Sequence, residues 1–313
     1  FEEIQTVSVT KTKLSKLDAF QKKIAELKFL DPACGSGNFL TETYISLRRL
    51  ENRIIQAKVD AGKKVVSGQI TLGDVEGDFD PIQIPIRQFY GIEVNDFAVT
   101  VAKTALWIAE SQMMKETEDV IHMSLNFLPL KSYANIVEGN ALRMDWEDVV
   151  AKNELDYITG NPPFVGARMS KEQKEDLLLV FGSKWKNAGN LDYVSCWYKK
   201  SADFMVGTKI CSALVSTNSV CQGETVANLW KPLFEMGVHI DFAHRTFRWD
   251  REAKIKAHVH CVIVGFSITD NNQPKRLYAL DRMHIVDNIN AYLIEAPDIF
   301  IENRKKPLVV FRM

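Results

Sequence analysis

Apolar residues recur along the chain with two periods, and each change of period marks an element. Leu14, Leu17, Phe20, Ile24 and Leu27 stand three or four apart across residues 11–27, which predicts an amphipathic helix. A short apolar run at 28–30 predicts a strand that ends in Asp31 and enters the turn Pro-Ala-Cys-Gly-Ser-Gly-Asn. Helical spacing resumes over 39–56. Strand, Gly-rich turn and helix in that order open a nucleotide-binding α/β unit. Residues 57–87 break both periods with Gly, Pro and Asp in turn positions, so an inserted surface loop or small hairpin is expected there.

A second strand, within 87–94, ends in an acid and leads to a helix over 96–114. A third strand is expected within 135–142 and a fourth within 154–164, each leaving through a turn. Helices follow at 170–181, 191–206 and 224–236, and strands at 209–217, 238–243 and 258–266. The last two strands fit the antiparallel end of an otherwise parallel sheet. From about residue 267 the chain turns polar and irregular, so 267–313 reads as a linker and the first piece of a further domain.

Composition narrows the class without choosing a function. Hydrophobic residues make up 46% and charged residues 25% of the 313 positions, as in an ordinary globular chain. No apolar run approaches the roughly 20 residues that a membrane span needs, so no membrane partner is expected. The chain opens on Phe1 without a secretory signal, which reads as an excised piece of a cytoplasmic protein. Five cysteines lie scattered with no Cys-x-x-Cys pair, against both a disulfide framework and a zinc site. A net charge of −1 argues against a fragment that grips nucleic acid tightly by itself. It leaves room for a local basic cleft or a basic partner domain.

Four motifs carry candidate chemistry. In Asp31–Phe39, Gly35 and Gly37 stand where a strand-to-helix turn needs positive φ or close backbone approach to a ligand. A GxG turn alone serves packing in many folds; Asp31, at a strand's carboxyl end, adds a carboxylate that can pair with a cationic ligand head. No P-loop Gly-Lys-Ser/Thr follows. Glu93 closes the second strand, where a carboxylate can accept both ribose hydroxyls of an adenosyl ligand; the competing reading is an acid that caps the next helix. Asn140 is placed to reach that ligand's adenine, or is simply a turn residue.

The fourth motif is Asn161-Pro162-Pro163-Phe164, directly after a strand. Two prolines cannot continue a sheet and force a rigid turn beyond it, at the carboxyl edge where open α/β folds place ligands. The Asn161 side-chain oxygen and the Pro162 carbonyl can accept hydrogen bonds from one amino group, and Phe164 offers a flat face to a base. An aromatic amine is a poor nucleophile because its lone pair is delocalised into the ring. Two acceptors aimed at its N–H bonds favour a pyramidal nitrogen. The competing reading, a Pro-rich turn with a core Phe, loses ground because the motif follows an adenosyl-type turn and a ribose-type acid.

With these residues in hand, the chain resembles the class I amino-methyltransferases, and more narrowly the methyltransferase portion of MmeI-like bifunctional restriction–modification enzymes. The likeness is carried by DPACGSGNFL, FYGIEVNDFAVTVAKTALWIAE, GNPPFVGARMSKEQ, LDYVSCWYKKSADF, VSTNSVCQGE and FAHRTFRWDREAKIKAHVHCVIVGF, which span residues 30–266. The resemblance implies a doubly wound α/β fold with a mostly parallel seven-stranded sheet, an antiparallel edge and an inserted loop region. It implies a leading helix at 1–27, a methyltransferase domain at 28–266 with the 57–87 insertion, and the start of a truncated target-recognition domain at 267–313. It implies S-adenosyl-L-methionine as cofactor, held by Asp31, Ala33, Gly35, Gly37, Glu93, Asn140 and Asn161. Asn161, Pro162, Pro163 and Phe164 become the catalytic loop around a flipped adenine of double-stranded DNA. Phe247 or Trp249 closes the other side of the base pocket, or else forms a core edge. Family members also carry nuclease and target-recognition domains, which are absent here apart from the start of the latter.

Two superficial patterns are set aside. Asp250, Glu252 and Lys254 imitate a nuclease metal motif, but the Asp is too near the Glu-x-Lys and no separate strand bears it. His258 and His260 alternate on one strand face, yet no carboxylate or thiol falls at ligand spacing, so no metal is expected.

Overall fold

A computed structural model describes residues 1–61, 81–122, 124–125, 134–166, 168–249, 259–269, 273–280 and 282–301. Contacts divide the chain into two units, Phe1–Ala141 with Glu147–Asp156, and Leu142–Trp146 with Tyr157–Met313.

The first unit holds α1 (Glu2–Gln5), α2 (Thr10–Glu26), β1 (Phe29–Asp31), α3 (Asn38–Asp60), β2 (Phe89–Glu93), α4 (Asp96–Ile121) and β3 (Asn135–Glu138). Its strands are parallel in the order β3-β2-β1, with Phe29 beside Phe89, and Glu93 beside Glu138. The expected helix at 11–27 forms as α2 and buries Leu17 and Ile24. Phe29 stacks on Phe89 with ring centroids 5.4 Å apart. Asn95 accepts the Ala98 N–H and starts α4. That helix runs past the expected end at 114 because Met113, Thr117 and Ile121 prolong the buried stripe.

Helix α3 also outruns its expected end, and for a different reason. Its inner face is charged: Arg48, Glu51 and Lys58 are buried. Arg48 pairs with Glu51 and donates to Thr117 Oγ1 at 2.8 Å. Glu51 also accepts from Gln21 Nε2 and from the Gln83 backbone, each at 2.7 Å. Buried ions persist only when paired and hydrogen-bonded; Arg48 and Glu51 are both, with only Arg48 Nε left without a partner in this group. Within the expected insertion at 57–87, residues 57–60 belong to α3, and Ile84 and Ile86 are buried; 62–80 lie outside the described residues.

The second unit holds β4 (Tyr157–Gly160), α5 (Lys171–Phe181), α6 (Ser195–Met205), β5 (Cys211–Thr217), α7 (Gly223–Thr225), α8 (Lys231–Glu235), β6 (His239–Trp249), β7 (Val259–Ser267), β8 (Lys275–Ala279) and β9 (Arg282–Val286). Its strand order is β4-β5-β7-β6-β8-β9. Strand β5 lies parallel to β4, whereas β7 pairs antiparallel with both β5 and β6. Ser170 and Gln173 close a capping box on α5. Tyr198, Trp230 and Phe266 pack ring to ring at the core of this unit. A π-helical turn, Val226–Trp230, separates α7 from α8. Pro232 has no N–H for the Asn228 carbonyl, and Trp185 Nε1 donates to it instead at 2.8 Å.

The chain therefore has the expected α/β architecture with a mostly parallel sheet and an antiparallel edge, and the strand count is corrected from seven to nine among the described residues. The two additional strands come from the stretch expected to be irregular. Strand β8 joins β6 in parallel and β9 returns against β8. Their residues gave no alternating signal because most of β9 is exposed on both faces. No helix of the described residues is long and apolar enough to cross a membrane.

Candidate functional site

In the first unit, six of the singled-out residues gather at the carboxyl ends of β1, β2 and β3. Asp31 ends β1 and is buried; its Oδ1 accepts the Ala33 N–H at 3.0 Å. Burial pushes its carboxyl up to about 7, the Ala33 hydrogen bond opposes this, and nearby Glu93 adds to it. The chain then turns through Gly35 at φ 54° and Gly37 at φ 82°. Gly37 heads α3 in the left-handed region, and a Cβ there would stand 2.9 Å from Ala102 Cβ of α4. The glycine lets the turn approach α4, and its own backbone is held within the fold, its N–H donating to the Cys34 carbonyl and its carbonyl accepting the Thr41 N–H, each at 2.8 Å.

Glu93, at the end of β2, is oriented by two backbone donors. Gly35 N–H reaches Oε2 at 2.9 Å and Asn95 N–H reaches Oε1 at 3.0 Å. Each oxygen keeps a lone pair for a further donor, so the carboxylate can still receive two hydroxyls. The helix-capping alternative is answered by Asn95, whose side chain does the capping. Gly139 N–H donates to the Glu93 carbonyl at 2.8 Å, which ties the turn bearing half-buried Asn140 to the end of β2. Two exposed apolar side chains flank the acid, Val94 (67% exposed) and Phe97 (74%). Large apolar groups left in water beside polar acceptors mark a binding surface. The sequence hid them, since Val94 reads as the end of the second strand and Phe97 as an ordinary apolar residue of the helix that follows.

In the second unit, Asn161–Phe164 leaves the carboxyl end of β4. Pro162 is buried, Pro163 exposed, and Asn161 and Phe164 half-buried. The Asn161 Oδ1 atom is buried and has no hydrogen-bond partner. Strands β4, β5 and β6 run the same way, as their pairings with one another and with β7 require. Phe247 and Trp249, near the carboxyl end of β6, thus share an edge of this unit with the proline turn. A register shift between His244 and Phe247 marks a bulge in β6, a device that re-aims side chains. Half-buried Phe247 meets the His244 ring edge-on at 4.9 Å. Trp249 pairs with Val259 through the backbone.

Other singled-out residues fall elsewhere. Residues 250–258, with Asp250, Glu252, Lys254 and His258, lie outside the described residues. Among the described residues no three His, Cys, Asp or Glu side chains stand close enough to hold a metal ion. All five cysteines are free; Cys34 packs in the cofactor-type turn, and burial pushes its thiol up.

The chain as a whole is similar to several known proteins. A protein of Bacillus subtilis (strain 168) named DNA methyltransferase A is 40% identical over 299 residues, covering 94% of this chain and 32% of the relative. A putative type II restriction enzyme and methyltransferase of Methanocaldococcus jannaschii is 28% identical over 151 residues, or 46% of this chain and 11% of the relative. Among solved structures, the type IIL restriction-modification enzyme MmeI in complex with DNA is 40% identical with a TM-score of 0.86, over 95% of this chain and 39% of that one. The chain thus spans between 30% and 40% of the length of these two 40%-identical proteins. The family model described as the DNA-methyltransferase domain of MmeI matches residues 7–279, and the chain belongs to that family.

Proposed function

We propose that this chain is the catalytic part of a site-specific DNA methyltransferase, which moves a methyl group from S-adenosylmethionine to the N6 amino group of an adenine extruded from double-stranded DNA. The observation that carries the proposal is the orphan acceptor Asn161 Oδ1 in a proline-stiffened turn. A buried oxygen without a donor costs about 1–3 kcal/mol. Such a cost persists where a substrate brings the missing hydrogen.

The residues of the first unit fit the cofactor. Buried Asp31 suits a cationic amino-acid head, and Glu93, preset by Gly35 and Asn95, suits a pair of ribose hydroxyls. Asn140 serves the adenine, while Ala33, Gly35 and Gly37 line the turn. When bound, S-adenosylmethionine supplies an electrophilic methyl group on a sulfonium centre. The chain's own residues do the rest. Asn161 Oδ1 and the Pro162 carbonyl accept the two amino hydrogens, which localises the nitrogen lone pair. Their oxygens also stabilise the positive charge that develops on that nitrogen. The two prolines hold both acceptors in place, lowering the entropic part of the barrier. Phe164 stacks on the base, worth about 1–3 kcal/mol, which helps offset an extrusion cost of a few kcal/mol. Phe247 or Trp249 closes the opposite side. No covalent bond to the chain is required.

The B. subtilis relative is named a DNA methyltransferase and MmeI is titled a restriction-modification enzyme bound to DNA. These names support a modification role within a longer polypeptide, whose nuclease and target-recognition parts lie outside this chain. Residues 267–313 lead toward the latter, and 1–27 pack on the catalytic domain. A net charge of −1 supports a DNA grip shared with those parts. Tritiated-methyl transfer to DNA, RNA and protein offered side by side tests the reading. Label in adenine of DNA is the expected result; label only in RNA, or only in protein amides, overturns it.

A further inference from the structure

We infer that Asp192 is a positioning residue for the methyl-transfer loop, fixing its downstream end; the inference rests on the reading above. The two prolines stiffen only the first half of the loop, next to β4. The second half ends at Gly166, whose φ of 63° lies in the left-handed region. Its N–H donates to Asp192 Oδ1 at 3.1 Å. The other carboxylate oxygen accepts from Thr217 Oγ1 at 3.5 Å, and Thr217 shares a hydrogen with Ser219 Oγ at 2.7 Å. Thr217 ends β5, the parallel neighbour of β4. One carboxylate thus ties the loop to the strand beside the one it has just left.

Asp192 stands three residues ahead of α6, and its carbonyl accepts the Ser195 N–H at 2.9 Å. Its carboxylate is thus left to face Gly166 and Thr217 rather than its own chain. Its own backbone is held firmly. Leu191 and Tyr193 on either side are 1% and 7% exposed, and Tyr193 Oη donates to buried Asp176 at 2.7 Å. Without the carboxylate, Gly166 loses its acceptor and Phe164 and Asn161 gain freedom upstream. Misplacement of reacting groups by about 1 Å costs on the order of 100-fold in rate.

The test measures turnover and KM on unmethylated genomic DNA for the longer polypeptide that contains this chain and for its Asp192→Ala, Asp192→Asn and Asn161→Ala variants, with cofactor affinity by calorimetry. Asp192→Ala should lose about 10- to 100-fold in kcat while cofactor affinity stays within about twofold. Asp192→Asn should return to within about threefold of the parent, because the amide oxygen still accepts from Gly166. An Asp192→Ala variant at parental kcat beside an inactive Asn161→Ala overturns the inference and leaves the methyltransferase reading intact. Asn161→Ala at parental kcat overturns that reading instead. Should Asp192→Ala fail to fold, hydrogen exchange in the unmodified protein decides. A protected Gly166 amide supports the anchor, and one that exchanges as in an unstructured chain overturns it.

Discussion

Replacing Asp31 by Asn separates what this carboxylate costs the fold from what it does for a ligand. Asp31 is 1% exposed, and burial raises its carboxyl from 3.8 to about 7. Each pKa unit is worth ~1.4 kcal/mol, so the ionised side chain costs the folded protein up to ~4 kcal/mol. For an acid with a raised folded pKa the sign is fixed. Its neutral form stabilises the fold fully below 3.8, and that contribution is lost as pH rises through about 7. Asn has the same shape, keeps an oxygen for the Ala33 N–H, and cannot ionise. Urea unfolding of the ligand-free variant should therefore match the parent near pH 4 and exceed it by about 2–4 kcal/mol at pH 8. Cofactor binding should fall about 30-fold or more, the cost of removing one charge from a buried pair. A stability difference that is equal at both pH values, or a variant less stable at pH 8, refutes the reasoning. Asp31 would then be ionised and favourably paired in the ligand-free fold.

Three further substitutions test separate parts of the account. Gly37→Ala combines φ 82° with a Cβ 2.9 Å from Ala102 Cβ, so a loss of about 1–3 kcal/mol is expected in urea unfolding. A parental midpoint would show that α4 yields at that contact. Arg48→Leu strips the counterion from buried Glu51 and should lower stability by about 3–5 kcal/mol, with Arg48→Leu/Glu51→Leu recovering much of the loss. A double variant no better than the single one would mean the cost lies in packing. Phe164→Ala should reduce kcat/KM on DNA about 5- to 150-fold through lost stacking and leave calorimetric cofactor affinity unchanged. Loss of affinity instead would move Phe164 from the base to the cofactor.

Much of this was legible in the chain because chemistry and period coincide in it. The turn from Asp31 to Gly37 and the acid Glu93 fall at strand ends, where the α/β pattern concentrates ligand-facing groups. The structure gathers them at the ends of β1 and β2. The proline turn was legible as a rigid loop because prolines fix backbone geometry locally. What stayed hidden was long-range or unperiodic. The last turn of α3 was missed because Lys58, buried there and paired with Asp18, reads as surface. Strand β9 was missed because Met283, His284 and Ile285 are all exposed, without alternation, and β8 because Leu277 is its one buried residue. The orphan state of Asn161 Oδ1, and the reach of Asp192 to Gly166 across 26 residues, depend on packing that no local window contains.

The most direct test of the central claim is Asn161→Ala in the longer polypeptide that contains this chain, assayed for adenine methylation of DNA with cofactor affinity measured alongside. If Asn161 Oδ1 is an acceptor for the reacting amine, turnover falls at least about 100-fold while cofactor affinity stays within about twofold. Turnover within about threefold of the parent would contradict it, and the buried oxygen would need another explanation.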